Sequence, residues 1–250
     1  MRTLKLTVAY DGTGFSGWQA QGSNARKPTI QGTLQAACRT VLREPVNVLG
    51  SGRTDTGVHA LGQVAHLKTG SEISPDRLRM ALNGVLPPAI SVMEVKEAPP
   101  DFHAQFSAVA KRYRYQIVMG PAVLPFERRY VTQVRVPLNV ALMRREARAL
   151  LGRHDMAAFQ SAGRLVRDTR RTVLDLSVRR RGNHLTIEIE ADGFLYKMVR
   201  RIVGTLLDIG QGRLPPGTVN ELLRSRDPLH AGRPAGAQGL ALVCVRYKAG

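Results

Sequence analysis

The first hundred residues switch repeatedly between the two-residue period of a strand and the longer period of a helix. Apolar and polar residues alternate in residues 4–10 (LKLTVAY), which predicts a strand, and DGTGFSGWQ then predicts a loop rich in turns. Thr29 is a residue type that caps helices, and apolar residues recur at helical spacing from Ile30 to Leu42, before Pro45. The same patterns predict three further strands and one further helix, the strands in 46–50, 62–69 and 90–98 and the helix in 74–88.

The second half of the chain repeats this mixture of periods. Residues 112–120 (RYRYQIVMG) predict a strand with Tyr113 and Tyr115 on one face. Residues 172–193 predict a β-hairpin, because alternating apolar and polar residues follow the turn-forming pair GN. Two helices and a closing strand complete the prediction, the helices in 139–152 and 194–210 and the strand in 239–247.

Strands joined by hairpins, with helices in both halves, are typical of an α+β protein. The sequence therefore predicts two related lobes of mixed or antiparallel sheet flanked by helices, with a cleft between them. No low-complexity linker separates the lobes, so the boundary between them is placed from the order of the predicted strands and helices. It gives an N-terminal lobe in residues 1–107 and a C-terminal lobe in residues 108–250. The segment GSGRTDTGVHA would be a loop between two strands of the first lobe, where reactive side chains are often displayed.

Charge narrows the range of partners. The 250 residues include 37 Lys and Arg against 19 Asp and Glu, a formal net charge of +18. Such a surplus is typical of proteins that bind a polyanion, and nucleic acid is the natural candidate. A membrane surface is the competing explanation, but no apolar run approaches the roughly 18 residues of a spanning helix, and the start of the chain lacks the apolar block of a signal peptide. We therefore expect a cytoplasmic protein that does not act on membranes.

Cysteines and histidines give no sign of a metal site. Cys38 and Cys244 are far apart in sequence and lack a spacing such as Cys-x-x-Cys, so we expect two buried thiols and no disulfide. His59 and His66 lack the helical i, i+4 spacing of many metal ligands, and we expect both to be structural.

The loop GTGFSG matches the dinucleotide-binding fingerprint G-x-G-x-x-G at Gly12, Gly14 and Gly17. A nucleotide-dependent oxidoreductase must therefore be considered. The context disagrees, because WQAQGSNARKP lacks the apolar period of a helix and no acid follows about 20 residues later for a ribose. We favour a loop bent by glycine.

Two basic clusters are candidates for contact with a nucleic acid. The strand KRYRY places Arg112 and Arg114 on the face opposite Tyr113, and aromatic rings beside basic side chains are common where RNA bases stack. Arg179, Arg180 and Arg181 lie at the tip of the predicted hairpin. Each cluster is equally compatible with an ordinary solvated or core role, and composition does not decide between these interpretations.

Asp55 is the most specific candidate for chemistry. It stands in a strongly basic chain, two residues after Arg53, and Gly57 allows the backbone to bend tightly behind it. A neighbouring arginine favours the charged form of a carboxylate, and an ionised carboxylate can act as a nucleophile or a base. The alternative is an aspartate that only caps a turn, which is common.

GRTDTGVHALGQVAH resembles the signature loop of the tRNA pseudouridine synthase A family. Four further blocks resemble the family in the same order, namely YDGTGFSGWQ, DFHAQFSAVAKRYRY, GFLYKMVRRIVGTLLDIG and GLALV. The resemblance implies the pseudouridine synthase fold and an enzyme that isomerises uridines 38, 39 and 40 in the anticodon arm of tRNA. It also implies a homodimer, with no cofactor and no metal.

The resemblance assigns roles to particular residues. Asp55 matches the catalytic aspartate, and Arg53 matches the arginine that inserts into the RNA helix and supports the flipped-out base. Tyr113 matches the tyrosine that stacks on the target uracil, and Arg200 matches the basic residue that pairs with the aspartate. Leu240 corresponds to an apolar wall of the pocket. Gln105 departs from the pattern, which more often has arginine there, but this position is not among the catalytic ones.

Two other functions stay open at this point. An RNA-binding protein that kept the fold and lost the chemistry would also be basic, although the presence of Asp55, Arg53, Tyr113 and Arg200 favours an enzyme. The nucleotide-dependent oxidoreductase is the weaker rival. Within the synthase interpretation, the sequence does not choose between covalent attack by the aspartate and removal of the C2′ proton to give a glycal intermediate.

Overall fold

A computed structural model describes residues 1–20, 27–163 and 166–248. The chain divides into two compact units, one formed by Met1–Val109 with Ala241–Gly250 and the other by Ala110–Leu240. Both contain β-strands and helices, which confirms the predicted α+β class. Within the described ranges no helix has the length and apolar character needed to cross a membrane.

The first unit is built on a sheet with the strand order β4-β1-β3-β10. Strand β1 (Arg2–Tyr10) pairs antiparallel with β3 (His59–Thr69) and with β4 (Ile90–Ala98). The short strand β2 (Leu49–Gly50) pairs antiparallel with β3, and β10 (Leu240–Tyr247) pairs parallel with it. The chain between β2 and β3, which carries Asp55, is thus fixed at both ends by the same sheet.

Two helices accompany this sheet, and each begins at a residue that the sequence marks. Helix α1 (Ile30–Leu42) is capped by Thr29, whose Oγ1 accepts a hydrogen bond from the amide of Gly32 at 3.2 Å. Helix α2 (Pro75–Val85) is capped by Ser74 and packs against β4 and α1. The sheet buries the alternate apolar residues of β1, namely Leu4, Leu6, Val8 and Tyr10.

The second unit has the strand order β5-β9-β8-β7. Strand β5 (Ala108–Met119), which begins at the boundary between the units, pairs antiparallel with β9 (His184–Ala191), and β9 pairs with β8 (Arg170–Arg181) in the predicted hairpin. Two short strands, β6 (Thr132–Val134) on β5 and β7 (Gly152–Asp155) on β8, extend it. Its helices are α3 (Val140–Arg148), α4 (Met198–Gly210) and α5 (Thr218–Ser225).

Several predicted boundaries were wrong, for local reasons. Helix α4 begins four residues later than expected, because Lys197 adopts a left-handed conformation with a φ of 57° directly before it. Helix α3 ends at Arg148 rather than reaching Gly152, and only the last two residues of 46–50 form a strand. Both cysteines are free thiols, but Cys244 is only partly buried, contrary to expectation.

Candidate active site

Asp55 lies in a tight turn between β2 and β3. The amide of Val58 donates to the carbonyl oxygen of Asp55 at 3.1 Å, and Gly57 has a φ of 78°, in the left-handed region that glycine adopts without strain. The side chain of Asp55 is half-buried. The turn therefore holds the carboxylate at a defined place in the first unit while leaving it accessible to a ligand.

The loop GTGFSG packs directly against this turn. A Cβ on Gly12 would lie 2.1 Å from the carbonyl oxygen of Val58, and a Cβ on Gly17 would lie 2.5 Å from that of Thr54. The amide of Trp18 donates to the same Thr54 carbonyl at 3.1 Å. Gly12 and Gly17 are thus required because the backbone of the loop GTGFSG contacts the backbone of the Asp55 turn at these two positions.

No helix opens at this loop within the residues that the structure describes there. Gly12–Gly14 form a single 3-10 turn, and the next helix is α1, which begins at Ile30. The residues 21–26, which belong to the segment WQAQGSNARKP used to dismiss a cofactor loop, lie outside the described residues. The packing of Gly12 and Gly17 supports the interpretation as a glycine-bent loop.

Hydrogen bonds from buried polar side chains hold the turn in place. The hydroxyl groups of Tyr10 and Thr54 are 2.8 Å apart and share a hydrogen bond, and burial raises the pKa of Tyr10 above its usual range, so this phenol stays protonated. Gln63, fully buried on β3, donates to the carbonyl oxygen of Gly52 at 2.9 Å. His59 Nδ1 accepts from the amide of Gly12 at 3.1 Å, a contact that joins the turn to the loop GTGFSG.

Arg53 is exposed, yet its side chain is held by a chain of amides. Its Nε donates to Gln19 Oε1 at 2.8 Å, and Gln19 Nε2 donates in turn to Gln31 Oε1 at 2.7 Å. Gln31, on α1, is buried and donates to the carbonyl oxygen of Val48 at 2.7 Å. The orientation of Arg53 is therefore coupled to helix α1. Neither glutamine could be identified from the sequence, because amide side chains far apart in sequence carry no periodic signal.

Tyr113 lies in the second unit, on β5. It is 8% exposed, and its ring is nearly perpendicular to that of Phe194, with the centroids 5.0 Å apart. Two residues further along β5, the buried Tyr115 donates to the carbonyl oxygen of Gly236 at 2.8 Å, and burial raises the pKa of Tyr115 to about 12. Burial also lowers the pKa of the nearby Lys111 ammonium to about 8. Burial and the contact with Phe194 therefore restrict the ring of Tyr113.

Arg200 and Leu240 belong to the same unit as Tyr113. Arg200, in the first turn of α4, donates from Nε to the carbonyl oxygen of Ala235 at 2.7 Å, and the Ala235 amide donates back to the carbonyl oxygen of Arg200 at 2.9 Å. A Cβ on Gly204 would lie 1.8 Å from the Arg233 carbonyl oxygen, so this segment lies directly on the helix. Leu240 is buried at the start of β10.

The two candidate basic clusters have different surroundings. Arg112 and Arg114 lie opposite Glu190 and Glu188 across the β5–β9 ladder, and they form ion pairs with these acids at 2.6 and 2.7 Å. Asp175 is a further partner of Arg112 at 3.2 Å. Arg179, Arg180 and Arg181 are exposed near the end of β8. The positive charge of the first cluster is thus balanced by carboxylates, whereas the second cluster faces solvent.

The candidate residues divide between the units, with Arg53 and Asp55 in the first and Tyr113, Arg200 and Leu240 in the second. Among the described residues, no group of three or more His, Cys, Asp or Glu side chains is arranged to hold a metal ion. The structure adds Gly12, Gly17, Gln19 and Gln31 as residues that support the Asp55 turn.

The family model and the curated relatives indicate the same family. The family model described as tRNA pseudouridine synthase matches residues 6–107 and 147–248. The tRNA pseudouridine synthase A of Thermoanaerobacter sp. (strain X514) is 44% identical over 247 residues, which is 99% of this chain and 100% of the relative. The protein of the same name from Brevibacillus brevis is also 44% identical, with the same coverage. Among solved structures, a Cbf5-Nop10-Gar1 complex chain matches with 13% identity and a TM-score of 0.37, over 82% of this chain and 45% of that one.

Proposed function

Because this chain belongs to the tRNA pseudouridine synthase family, we propose that it isomerises uridine to pseudouridine at positions 38, 39 and 40 of the tRNA anticodon stem-loop, with Asp55 as the catalytic carboxylate. The family makes the protein an isomerase that acts on tRNA. The observation that carries the assignment of Asp55 is its position in a turn held by backbone contacts with the loop GTGFSG. Precise placement of one carboxylate is what a reaction with one essential acid requires.

The product has the same atomic composition as the uridine from which it forms. The bond between N1 and C1′ breaks, the uracil turns, and a bond forms between C5 and C1′. The proton on C5 is then lost, and N1 gains one, so neither a redox carrier nor an energy source is needed. The carboxylate of Asp55 has three routes, which are attack on C1′, attack on C6, and removal of the C2′ proton.

The target uridine must leave its stem before Asp55 can reach it. Extruding a stacked base costs on the order of a few kcal/mol. Arg53 would fill the space that the base leaves, and its amide tether through Gln19 restricts the guanidinium to few orientations. Tyr113 would stack on the extruded uracil, and its perpendicular contact with Phe194 restricts the orientation of its ring.

Arg200 and Leu240 complete the proposed set. Arg200 would pair with the Asp55 carboxylate and keep it ionised, and its backbone partner Ala235 orients its side chain. Leu240 would form an apolar wall. Arg112 and Arg114 form ion pairs with Glu190 and Glu188. The better candidates for contact with RNA phosphates are therefore the exposed Arg179, Arg180 and Arg181.

The wider setting is part of the same proposal. The net charge of +18 suits a tRNA substrate, which the protein would recognise mainly by shape and phosphate contacts. We expect a cytoplasmic homodimer. The oligomeric state can be measured by sedimentation of the purified protein with and without tRNA.

The decisive experiment is release of tritium from tRNA transcribed with [5-³H]uridine. The wild-type protein should release tritium, and mapping should place the product at positions 38, 39 and 40. Asp55→Asn should bind tRNA nearly normally and release none, because it removes the reactive charge and keeps the shape. Asp76→Asn is the matched control, since the Asp76 side chain on α2 is 89% exposed, and it should behave as wild type.

Two outcomes would contradict this proposal. Wild-type release by Asp55→Asn would remove Asp55 from the catalytic role. Binding of tRNA without any release by the wild type would support the alternative of an RNA-binding protein that has lost the chemistry.

A further inference from the structure

A second surface on the Ala110–Leu240 unit combines aromatic and basic side chains. The segment 121–131, which follows β5, exposes apolar side chains that globular proteins usually bury. Phe126 is 74% exposed, Leu124 51% and Tyr130 44%. Arg128 and Arg129 lie between the two aromatic residues and are also exposed. Exposed aromatic rings of this kind mark an interaction site more often than a structural element.

The segment has a defined conformation. The amide of Glu127 donates to the carbonyl oxygen of Leu124 at 3.0 Å, and the amide of Tyr130 donates to that of Glu127 at 2.8 Å. At its start, the Gly120 amide donates to the Val134 carbonyl oxygen at 2.9 Å. The rings of Phe126 and Tyr130 are thus carried by consecutive turns, and little conformational entropy is lost when a ligand binds them.

The same segment lies beside the tip of the β8–β9 hairpin. Glu127 Oε1 is 3.4 Å from His184 Nε2, and the amide of Met119 donates to the carbonyl oxygen of Asn183 at 2.7 Å. In the hairpin register His184 is opposite Arg181. We call the whole set the aromatic–arginine surface, which consists of Leu124, Phe126, Arg128, Arg129, Tyr130, Arg179, Arg180 and Arg181.

Three arginines of this surface are not paired with acids in the way that the arginines of β5 are. Arg128, Arg179 and Arg181 form no ion pair with any described residue, in contrast to Arg112 and Arg114, which pair with Glu190 and Glu188. The one acid within the segment, Glu127, contacts His184. Three arginines without an ion pair, Arg128, Arg179 and Arg181, thus accompany the two exposed rings on this unit.

We propose that the aromatic–arginine surface binds RNA, with Phe126 and Tyr130 stacking on unpaired bases and the arginines contacting the adjoining phosphates. Aromatic rings within a basic surface are the usual equipment for unpaired nucleic acid. The inference rests on the proposed function in one respect, that the RNA is tRNA.

This contact is separate from the proposed uracil pocket. Tyr113 lies on β5 and is 8% exposed, whereas Phe126 is 74% exposed on the segment that leads from β5 to β6. A base stacked on Phe126 would therefore be a different nucleotide from the one on Tyr113, so that one tRNA would be held at two places on this unit.

Charge favours RNA over a second copy of the chain. An isologous contact through this surface would bring the same arginines of two copies face to face, with Glu127 already engaged by His184. Like charges opposed in this way oppose association. A polyanion gains from the same arrangement, since each neutralised phosphate releases counterions.

The test measures tRNA binding and turnover for variants of the full chain. Phe126→Ala should weaken tRNA binding by roughly 5- to 100-fold, the range for loss of one stacked base, and Phe126→Trp should restore it. Arg179→Gln with Arg181→Gln should lower the slope of log K against log salt by about 1.4, at about 0.7 per phosphate contact. KM should rise in all the weakened variants while kcat is unchanged. Leu229→Ala is the control, because Leu229 is 87% exposed on another segment, and it should bind as wild type.

The possible results separate this inference from the proposed function. Unchanged binding by Phe126→Ala overturns the inference, as does a loss of dimerisation in that variant with tRNA binding per subunit preserved. A wild-type protein that binds tRNA through Phe126 but releases no tritium overturns only the proposed function. A wild-type protein that binds no tRNA overturns both.

Discussion

A Cβ atom on Gly17 would lie 2.5 Å from the carbonyl oxygen of Thr54, the residue directly before Asp55. That carbonyl also accepts a hydrogen bond from the amide of Trp18. The main chain that carries the proposed catalytic aspartate therefore rests on a glycine from a different loop, at a distance that only hydrogen at Cα allows. The position of the carboxylate depends on this contact, although Gly17 has no chemistry of its own.

Gly17→Ala should impair catalysis more than it impairs tRNA binding. The substitution is strained twice, since Gly17 has a φ of 77° and the new methyl group would displace Thr54. We expect the free energy of unfolding to fall by about 1–3 kcal/mol and the rate of tritium release to fall by about tenfold or more. Urea unfolding and the tritium assay give the two values.

Gly14→Ala is the matched control for this prediction. Gly14 belongs to the same loop, but a Cβ there would meet no atom within 4 Å and its φ is not positive. Its free energy of unfolding should stay within about 0.5 kcal/mol of the wild type. Equal losses of activity in both variants would show that the loop as a whole, not the contact with Thr54, matters.

The hydrogen bonds from Arg53 to Gln19 and from Gln19 to Gln31 predict that substitutions of Arg53 and Gln19 have non-additive effects on kcat/KM. Gln19→Ala removes the acceptor that holds Arg53 Nε at 2.8 Å, so the guanidinium gains freedom that it must lose when RNA binds. We expect a fall in kcat/KM of about 3- to 10-fold, equivalent to roughly 1 kcal/mol, with stability almost unchanged. In an Arg53→Ala background, Gln19→Ala should have no further effect. Additive losses in this double-mutant cycle would refute the coupling.

Much of the fold could be predicted because its signals are local. Thr29 marks the beginning of α1, the pair at 182–183 marks the hairpin turn, and the Asp55 segment lies between two strands as expected. Three elements were not predicted from the sequence, which are β6, β7 and the eight-residue helix α5. β6 and β7 have three and four residues, too few to show an alternating pattern.

The support of the site could not be predicted for a different reason. Gln19, Gln31 and Arg53 come together only when α1 is docked beside the turn, and nothing in the local sequence of any of them indicates the others. The glycines of GTGFSG were visible, but their pattern equally suits a phosphate-binding loop. Only the contacts of Gly12 and Gly17 with backbone carbonyls distinguish the two interpretations.

The pairing of Arg112 predicts a loss of stability rather than a loss of RNA affinity. Arg112→Gln would remove the ion pair at 2.6 Å with Glu190, whose side chain is 9% exposed. Loss of a charged partner at a nearly buried carboxylate costs on the order of 1–3 kcal/mol, which urea unfolding would detect. The slope of log K against log salt for tRNA should not change.

Arg179→Gln is the opposite case and serves as its comparison. Arg179 is exposed, so the free energy of unfolding should change by less than about 0.5 kcal/mol while the salt slope falls by about 0.7. If Arg112→Gln lowers the salt slope and leaves stability intact, the ion pair with Glu190 is not the main role of Arg112.

Lys111 predicts a pH dependence of stability. Burial lowers the pKa of its ammonium in the folded protein to about 8, whereas the unfolded chain keeps the ordinary value of 10.5. Between these two values the unfolded state binds more protons, so this residue makes the free energy of unfolding rise with pH in that window. Below pH 8 both states are protonated, and the contribution is constant.

Other groups titrate in the same range, so we would measure the free energy of unfolding of the wild type and of Lys111→Met in urea at intervals from pH 7 to 10 and take the difference between them. The wild type should gain stability relative to the variant as the pH rises above about 8. If the difference in the free energy of unfolding stays constant across this range, burial does not lower the pKa of Lys111 in the folded protein.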